Sequence, residues 1–403
     1  MFAKTDKYAK EILLGNRLYE NEKFAKALKH YINALRLKRD DYVANLNCAN
    51  ANFALKKYSK SIYYLDKIKL NYKDDAKIIL LLARSCFELE KYEEASEYFE
   101  KLIVSGNKNP WNYNYLSQCY QKIGKYEKAF ETGFEAIKLS GKNSLAHQLN
   151  FGYMLYEVKL EDKYDNVLNW CKKWLSEYPE NKVTQYMGNA LLGNGLDTAD
   201  SLVGIKCIFD AFAPEFEKTL SDLEYKTPKV IADILQTRLL KKAEILDLGC
   251  GTGLCGKYLH KFAKLGGLYG VDISGKMLDE ARKKHIYSKL FCTDIDSFLH
   301  KTQNCFDLVV ASDVLTYFSK LDDVIDEVFN VLNQNGFFVF SVSKSPDDSD
   351  IYLHSSGRYA HSLKYVNSLA EKSGFTMDYF EESELRIENN KPVLGYVCLL
   401  AKN

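Results

Sequence analysis

The first half of the chain repeats one pattern of small and large apolar positions every 34 residues. One column holds the small residues Gly15, Ala49, Ala83 and Ser117, and a second holds the rings of Phe24, Tyr58, Tyr92 and Tyr126. Three further columns begin at Ala27, Tyr31 and Ala34. A repeat of this length is typical of stacked helical hairpins, because small residues let helices approach while rings fill the space between hairpins. We therefore predict helical pairs over residues 5–140, followed by a divergent fifth unit.

The pattern changes from Ala243 onward, where short apolar runs alternate with helical segments. This alternation predicts a parallel sheet with helices on both faces, with strands at 244–248, 268–271, 290–293, 306–311 and 337–342. Between the two halves, apolar residues from Phe209 to Leu223 recur at helical spacing. They predict an amphipathic helix, and docking on the next domain or covering a ligand are equally open interpretations.

These patterns predict a multidomain chain in which an all-α repeat array precedes an α/β domain. The expected boundaries are a helical repeat domain over residues 1–180, a helical connector over 181–206 and the α/β domain over 207–403.

A glycine turn follows the first strand of the α/β part, with Gly249, Gly251 and Gly253 after Asp247. Glycines suit a tight turn against which a ligand can lie. A dinucleotide fingerprint would place its third glycine one residue later, and the Asp247 carboxylate would attract an ammonium group and repel a pyrophosphate. Asp272 ends the second strand, where a carboxylate can accept hydrogen bonds from both hydroxyls of a ribose. The pattern favours a positively charged nucleoside, with a dinucleotide oxidoreductase as an alternative.

This ordered set of residues resembles the class I S-adenosylmethionine-dependent methyltransferases. The resemblance implies a Rossmann-like fold, S-adenosylmethionine as the cofactor, and a terminal hairpin from 385–388 and 394–400. It also implies that the glycine turn holds the methionyl part, that Asp272 binds the ribose and that Asp294 faces the adenine. The residues expected to bind the cofactor are Asp247, Gly249, Cys250, Gly251, Gly253, Asp272, Ile273, Met277, Asp294, Ile295, Ser312 and Tyr225.

The 34-residue pattern resembles the tetratricopeptide repeat family, and the two parts together resemble bacterial fusions of such repeats with a methyltransferase. The segments 209–230 and 357–375 carry this second resemblance. It implies an enzyme that methylates an oxygen or nitrogen acceptor while the repeats recruit a protein or peptide partner. The alternative is an adaptor protein in which the methyltransferase domain is structural or senses the cofactor.

Methyl transfer requires an acceptor aligned with the methyl group and, for a hydroxyl, amine or carboxylate acceptor, we expect a nearby base. The candidate catalytic residues are Asp313 and Tyr317 after the fourth strand and Arg358, Tyr359 and His361 after the fifth, with His354 nearby. An acceptor in nucleic acid is not expected, because no Asn/Asp-Pro-Pro-aromatic segment follows the fourth strand to stack a flipped base. The identity of the acceptor stays open.

The composition indicates where the protein works more than which reaction it catalyses. The chain carries 55 basic and 54 acidic residues, so it lacks the global basic field of nonspecific nucleic-acid binders. Its ten scattered cysteines and the absence of a signal-peptide pattern at the start predict reduced thiols in the cytoplasm. The longest apolar run, 78–83, is too short to cross a membrane, and the seven histidines show no metal-ligand clustering, so we expect no metal.

Overall fold

A computed structural model describes residues 2–141, 144–196, 199–238, 242–388 and 391–403. The chain divides into two compact units, Met1–Trp170 and Cys171–Asn403. The predicted order, helices first and an α/β sheet second, is confirmed. The boundaries at 180 and 206 stay a prediction, and the structure includes residues 171–206 in its second unit.

The first unit consists of helices whose starts follow the predicted period. They are α1 (Phe2–Glu20), α2 (Phe24–Leu37), α3 (Tyr42–Ala54), α4 (Tyr58–Asp66), α5 (Ala76–Glu88), α6 (Tyr92–Val104), α7 (Pro110–Lys122), α8 (Tyr126–Ser140), α9 (Leu145–Leu160) and the beginning of α10 (Val167–Glu177). Each ring of the aromatic column is the first residue of a helix, and neighbouring helices contact one another in chain order. The predicted helical pairs are therefore confirmed.

Small and large side chains complement one another inside these pairs. A Cβ atom at Gly15 would lie 2.4 Å from the ring of Tyr31, so the glycine makes room for the tyrosine. Ala83 and Phe99 are fully buried, and the Phe99 ring stacks on Tyr115 with 5.5 Å between the ring centroids. Close packing of this kind explains why the period is visible in the sequence.

Helices α3, α5 and α7 each begin after a side chain that caps them. Asp75 precedes α5 and accepts hydrogen bonds from the backbone N–H groups of Lys77 and Ile78 at 2.8 and 3.3 Å. It also accepts one from the hydroxyl of Tyr42 at 2.8 Å. Burial tends to raise the pKa of Asp75, but these hydrogen bonds outweigh it and lower the pKa. The ionised carboxylate therefore stabilises the folded state.

We expect Asp75→Ala to lower the free energy of unfolding by about 1 kcal/mol at neutral pH, as loss of a helix cap does. Because the folded-state pKa is lowered, the contribution is present at neutral pH and disappears as the pH falls through that pKa. Urea unfolding followed by tryptophan fluorescence measures it. Asp74→Ala is the control, since Asp74 is exposed and only pairs with Lys101. Equal losses in the two variants would contradict the capping role.

The second unit begins with helices and continues into the sheet. Its elements are α11 (Lys182–Leu192), α12 (Ala199–Phe212), α13 (Phe216–Asp222), α14 (Thr227–Arg238), β1 (Ala243–Leu248), α15 (Leu254–Leu259), β2 (Ala263–Asp272), α16 (Gly275–Arg282), β3 (Lys289–Cys292), α17 (Ile295–Lys301), β4 (Phe306–Ala311), α18 (Asp322–Val331), β5 (Leu332–Lys344), β6 (Ile351–Leu353), β7 (Tyr359–His361), α19 (Leu363–Lys372), β8 (Thr376–Glu388) and β9 (Lys391–Ala401).

The sheet has the order β3-β2-β1-β4-β5, and these five strands are parallel. β9 pairs antiparallel with β5, and β8 with β9. The five predicted strands and the terminal hairpin are confirmed, although β2, β5 and β8 are longer than expected. The short antiparallel pair β6 and β7, which extends the sheet from the end of β5, was not predicted.

This order places a crevice between the ends of β1 and β4. β2 lies on one side of β1 and β4 lies on the other, so the connections from these strands run in opposite directions. Such a reversal of strand order opens space at the carboxyl ends of the strands. Two apolar cores, one on each face of the sheet, hold the strands in place. The segments that follow β1, β2, β3 and β4 therefore meet at one edge.

Candidate functional site

A cavity of about 640 Å³ lies at this edge, entirely within the second unit. The segments after β1 to β4, together with α12 and α13, supply most of its walls. Ten of the twelve predicted cofactor residues line it: Tyr225, Gly249, Cys250, Gly251, Asp272, Ile273, Met277, Asp294, Ile295 and Ser312. The structure thus brings together residues that are up to 87 positions apart in the chain.

The glycine turn needs glycine for conformation and for space. Gly249 has a φ of +65°, and a Cβ atom there would lie 2.4 Å from the side chain of Val314. Gly251 has a φ of +53°, and the nearest atom to its Cβ position would be a ring carbon of Phe216 at 3.7 Å. The turn therefore presents bare backbone to the cavity.

Asp272 is held in place by the backbone at both of its oxygens. Oδ2 accepts a hydrogen bond from the Gly251 N–H at 2.8 Å, and Oδ1 accepts one from the Ser274 N–H, also at 2.8 Å. A carboxylate oxygen can accept more than one hydrogen bond, so each still has capacity for a ligand hydroxyl. Burial raises the pKa of Asp272 to about 6, against the lowering effect of the two backbone bonds. The group is mostly ionised at neutral pH, as a pair of ribose hydroxyls requires.

Asp294 and Tyr225 lie on two other walls of the cavity. Asp294 caps α17, where its carboxylate accepts a hydrogen bond from the Ser297 N–H at 2.8 Å. The Tyr225 hydroxyl lies 2.8 Å from the Ser312 hydroxyl oxygen, and burial raises its pKa well above the ordinary value, so it stays protonated. The Lys226 N–H donates to the Leu385 carbonyl, which ties the tyrosine's segment to β8.

Asp247 and Gly253 are not among the residues lining the cavity. Asp247 is 1% exposed, and its Oδ2 accepts a hydrogen bond from the Tyr287 hydroxyl at 2.6 Å. Its other oxygen is buried without a partner, and burial raises the pKa of this carboxyl to about 7. Gly253 precedes α15 and packs near the Tyr287 ring. Asp247 is therefore buried beside Tyr287 at the end of β1, and its contact with an ammonium group stays a prediction.

The five candidate catalytic residues separate into two groups. Asp313, Tyr317 and Arg358 line the cavity, whereas Tyr359 and His361 are not among the lining residues. The buried Tyr359 hydroxyl accepts a hydrogen bond from the Leu196 N–H at 3.0 Å. His361 is fully buried, and its Nε2 lies 3.0 Å from the Ser319 carbonyl oxygen. Both side chains therefore contact residues that line the cavity, Leu196 and Ser319, without lining it themselves.

An ion-pair cluster beside the cavity includes two residues that the sequence analysis missed. We define it as Asp313, Arg358, Arg386 and Glu388. Arg386 is 2% exposed, and its Nη1 contacts both Asp313 oxygens at 3.0 Å, while its Nε donates to Glu388 at 2.7 Å. Arg358 also pairs with Glu388. Burial would raise the pKa of Glu388, but the charges of the two arginines outweigh it and lower the pKa to about 2. The carboxylate stays ionised across the physiological range.

Helices α12 and α13 both dock on the α/β core and cover the cavity, which combines the two interpretations left open above. Phe209 and Phe216 line the cavity. Asp210 of α12 accepts hydrogen bonds from the Ser274 hydroxyl at 2.7 Å and the Lys276 N–H at 3.3 Å. Glu217 of α13 pairs with Lys284. These contacts hold the apolar faces of both helices over the site.

The remaining features concern metal ligands and membrane-spanning helices. Within the ranges that the structure describes, no group of three or more His, Cys, Asp or Glu side chains is placed to hold a metal ion. No helix in those ranges is long and apolar enough to cross a membrane.

Comparison with known proteins connects this geometry to a family. Residues 246–340 match the family model described as "Methyltransferase domain". The chain is 29% identical over 165 residues to a malonyl-[acyl-carrier protein] O-methyltransferase of Legionella pneumophila, covering 40% of this chain and 57% of that protein. It is 34% identical over 116 residues to a carboxy-S-adenosyl-L-methionine synthase of Campylobacter concisus, covering 27% and 48%.

Among solved structures, an N1-methyltransferase of Burkholderia thailandensis with bound 1,6-didemethyltoxoflavin and S-adenosylhomocysteine aligns with a TM-score of 0.41 at 16% identity. The alignment covers 49% of this chain and 87% of that one. The chain spans about half the length of the curated relatives named above. The family match covers the segment from β1 to β5 that carries the glycine turn. This segment matches the methyltransferase domain model, and S-adenosylmethionine is confirmed as the cofactor at the level of that match.

Proposed function

We propose that the whole chain is an S-adenosylmethionine-dependent methyltransferase that acts on an oxygen or nitrogen acceptor. The observation that carries this proposal is the Asp272 carboxylate, fixed by two backbone N–H groups at the wall of a cavity that also contains bare glycine backbone. A carboxylate held this way is prepared to accept two ribose hydroxyls. When bound, the cofactor supplies a methyl group that its sulfonium makes electrophilic.

The chain's own residues would hold and orient the cofactor. The backbone of Gly249 and Gly251 would contact the methionyl part, and Asp272 would bind the ribose. Asp294 and Ile295 would lie against the adenine, with Ile273 and Met277 adding apolar contact from the end of β2 and from α16. Asp247, which pairs with Tyr287, would support the glycine turn.

The remaining wall would align the acceptor. We define the acceptor half of the cavity as the part lined by α12, α13, Tyr317 and Arg358. Asp313 is bound by Arg386 through both oxygens, so we assign it a positioning role and not that of a base. Tyr359 and His361 would shape the wall from behind. Alignment alone can lower the barrier by several kcal/mol, on the order of 7 to 11 when it is ideal.

The binding of the cofactor should depend on pH through Asp272. Below its pKa of about 6 the carboxyl is protonated and loses part of its acceptor capacity. We expect the affinity for S-adenosylmethionine to fall as the pH falls, by about fourfold between pH 7.5 and pH 5.5 for one group titrating there. Calorimetry at the two pH values measures the change. Asp272→Asn should flatten the profile, and an equal pH dependence in that variant would assign the effect to another group.

The experiment that tests the activity uses the full chain with methyl-labelled S-adenosylmethionine and a lysate of its native host. Fractionation into protein, lipid and small-molecule pools should place label in one pool, and Asp272→Ala should abolish it. The Legionella relative's name gives an oxygen acceptor. Mild base would release the label as methanol from a methyl ester, but not from a methyl ether or an N-methyl group. No label in any pool, with the cofactor bound, would contradict the proposal.

For the first unit, we propose that the helical pairs are tetratricopeptide repeats that bind a protein or peptide partner. The exact recurrence of helix starts at Phe24, Tyr58, Tyr92 and Tyr126 supports this proposal. We propose a cytoplasmic location, because ten free cysteines are typical of a protein in a reducing compartment. Crosslinking of the full chain in its host should capture a partner through residues 1–170. If a partner is captured while no acceptor is ever labelled, the adaptor alternative replaces the enzyme.

A further inference from the structure

The acceptor half is walled by apolar side chains that the chain itself leaves partly uncovered. Leu202 is 40% exposed, and the rings of Phe209 and Phe216 are half-buried. The apolar wall consists of Leu196, Leu202, Ile205, Phe209, Phe216 and Leu220. A wall of this composition gains free energy by burying a mostly apolar ligand.

The side chain of Arg358 brings a positive charge to the same cavity. The Arg358 side chain is 27% exposed and lines the cavity beside the Tyr317 hydroxyl. Its Nη1 contacts Glu388, which leaves further N–H groups of the guanidinium for a ligand. The cluster contact with Glu388 fixes the position of the guanidinium, because Glu388 is itself held by Arg386. A fixed, planar donor group in an apolar surrounding is suited to a carboxylate.

The neighbouring charges favour the same ligand. Asp313 is bound by Arg386 and Glu388 by both arginines, so neither acid of the cluster is placed to accept a proton from a hydroxyl or amine. A carboxylate arrives without a proton to remove at neutral pH. Lys320 also lines the cavity, as do the acids Asp294, Asp296 and Asp323, so the preference for a carboxylate is assigned to the position of Arg358 and not to the charge of the whole cavity.

We propose that the acceptor half binds an amphipathic carboxylic acid, with its carboxylate on Arg358 and Tyr317 and its apolar body against α12 and α13. The proposal rests on the proposed function, because it assigns the substrate class of that same site. It gives the methyl acceptor two required parts, an anionic end and an apolar body.

Decanoate is the probe, added to the full chain saturated with S-adenosylhomocysteine, with acetate, decanol, decylamine and decyl phosphate as matched compounds. Calorimetry should show decanoate binding about tenfold or more tightly than acetate, decanol or decylamine. Arg358→Gln should weaken decanoate binding by about ten- to thirtyfold and change decanol binding by less than about twofold. Arg238→Gln is the control, since that arginine lies at the surface and pairs with Asp378.

Arg358→Lys controls for a folding defect in Arg358→Gln. It keeps a positive charge beside Glu388 but removes the planar guanidinium. We expect S-adenosylhomocysteine to bind both Arg358 variants as it binds the unmodified chain, and Arg358→Lys to bind decanoate with intermediate affinity. Equal binding of decanoate and decanol, tighter binding of decyl phosphate, or an unchanged decanoate affinity in Arg358→Gln would overturn the proposal. Those results would not affect the assignment of the cofactor site. Failure of S-adenosylhomocysteine to bind would instead contradict the proposed function.

Discussion

Asp272→Ala should lower the affinity of the chain for S-adenosylmethionine by a factor of about a hundred or more. Two hydrogen bonds from ribose hydroxyls to a carboxylate are lost, and each such bond is worth about 1.5 to 3 kcal/mol. A loss of about 1.4 kcal/mol of binding free energy lowers the affinity tenfold. The variant also releases the Gly251 and Ser274 N–H groups, which the carboxylate holds in place. Calorimetric titration of the full chain measures the change.

The control for this prediction is Asp279→Ala on α16. Asp279 is exposed and pairs only with Arg282 on the same helix, so its loss should leave cofactor affinity unchanged. Asp272→Asn retains a carbonyl acceptor and should fall between Asp272→Ala and the unmodified chain, at about a tenfold loss. If Asp272→Ala binds the cofactor as tightly as Asp279→Ala does, the ribose role assigned to Asp272 is wrong.

The sequence predicts the cofactor wall well because that wall is local. Gly249, Gly251, Asp272 and Asp294 all lie at the end of a strand or within three residues of it, and the carboxyl ends of parallel strands meet at one edge of the sheet. The same reasoning places Asp247 less well. A buried parallel strand is apolar on both faces, so alternation does not reveal on which side of the turn its last acid lies.

The acceptor wall is harder to predict because distant segments form it. Arg386 and Glu388 lie on the terminal hairpin, and Arg386 meets Asp313 across 73 positions of sequence, which no local pattern indicates. The strand β7 is three residues long, too short to show alternation, so Tyr359 and His361 were expected beside Arg358 in the site. For α12 and α13 the helical spacing gave an apolar face but not the surface it covers.

The ion-pair cluster leads to the second large effect, on stability. Arg386→Met should lower the free energy of unfolding of the second unit by about 3 kcal/mol, because it removes a buried cation and leaves the mostly covered Asp313 carboxylate without that partner. Arg386 itself is 2% exposed, and Asp313 depends on its two contacts at 3.0 Å. Asp313 also has a φ of +55°, so the ion pair holds a backbone conformation that aspartate adopts at some cost.

Native-state hydrogen exchange of β5 and β9 amides at increasing urea measures this loss within the second unit, independently of the helical repeats. Arg238→Met is the matched control: it removes an arginine paired with Asp378 at the surface, where an ion pair contributes about 0 to 1 kcal/mol. Replacing both partners, with Asp313→Asn added to Arg386→Met, should recover part of the stability, because no unpaired charge then remains at position 313. Two outcomes would contradict this role of the cluster. One is an equal loss of unfolding free energy in Arg386→Met and Arg238→Met, and the other is a double variant that loses the sum of the two single losses. In either case the cluster does not act as a coupled ion pair, and other contacts must position Arg358.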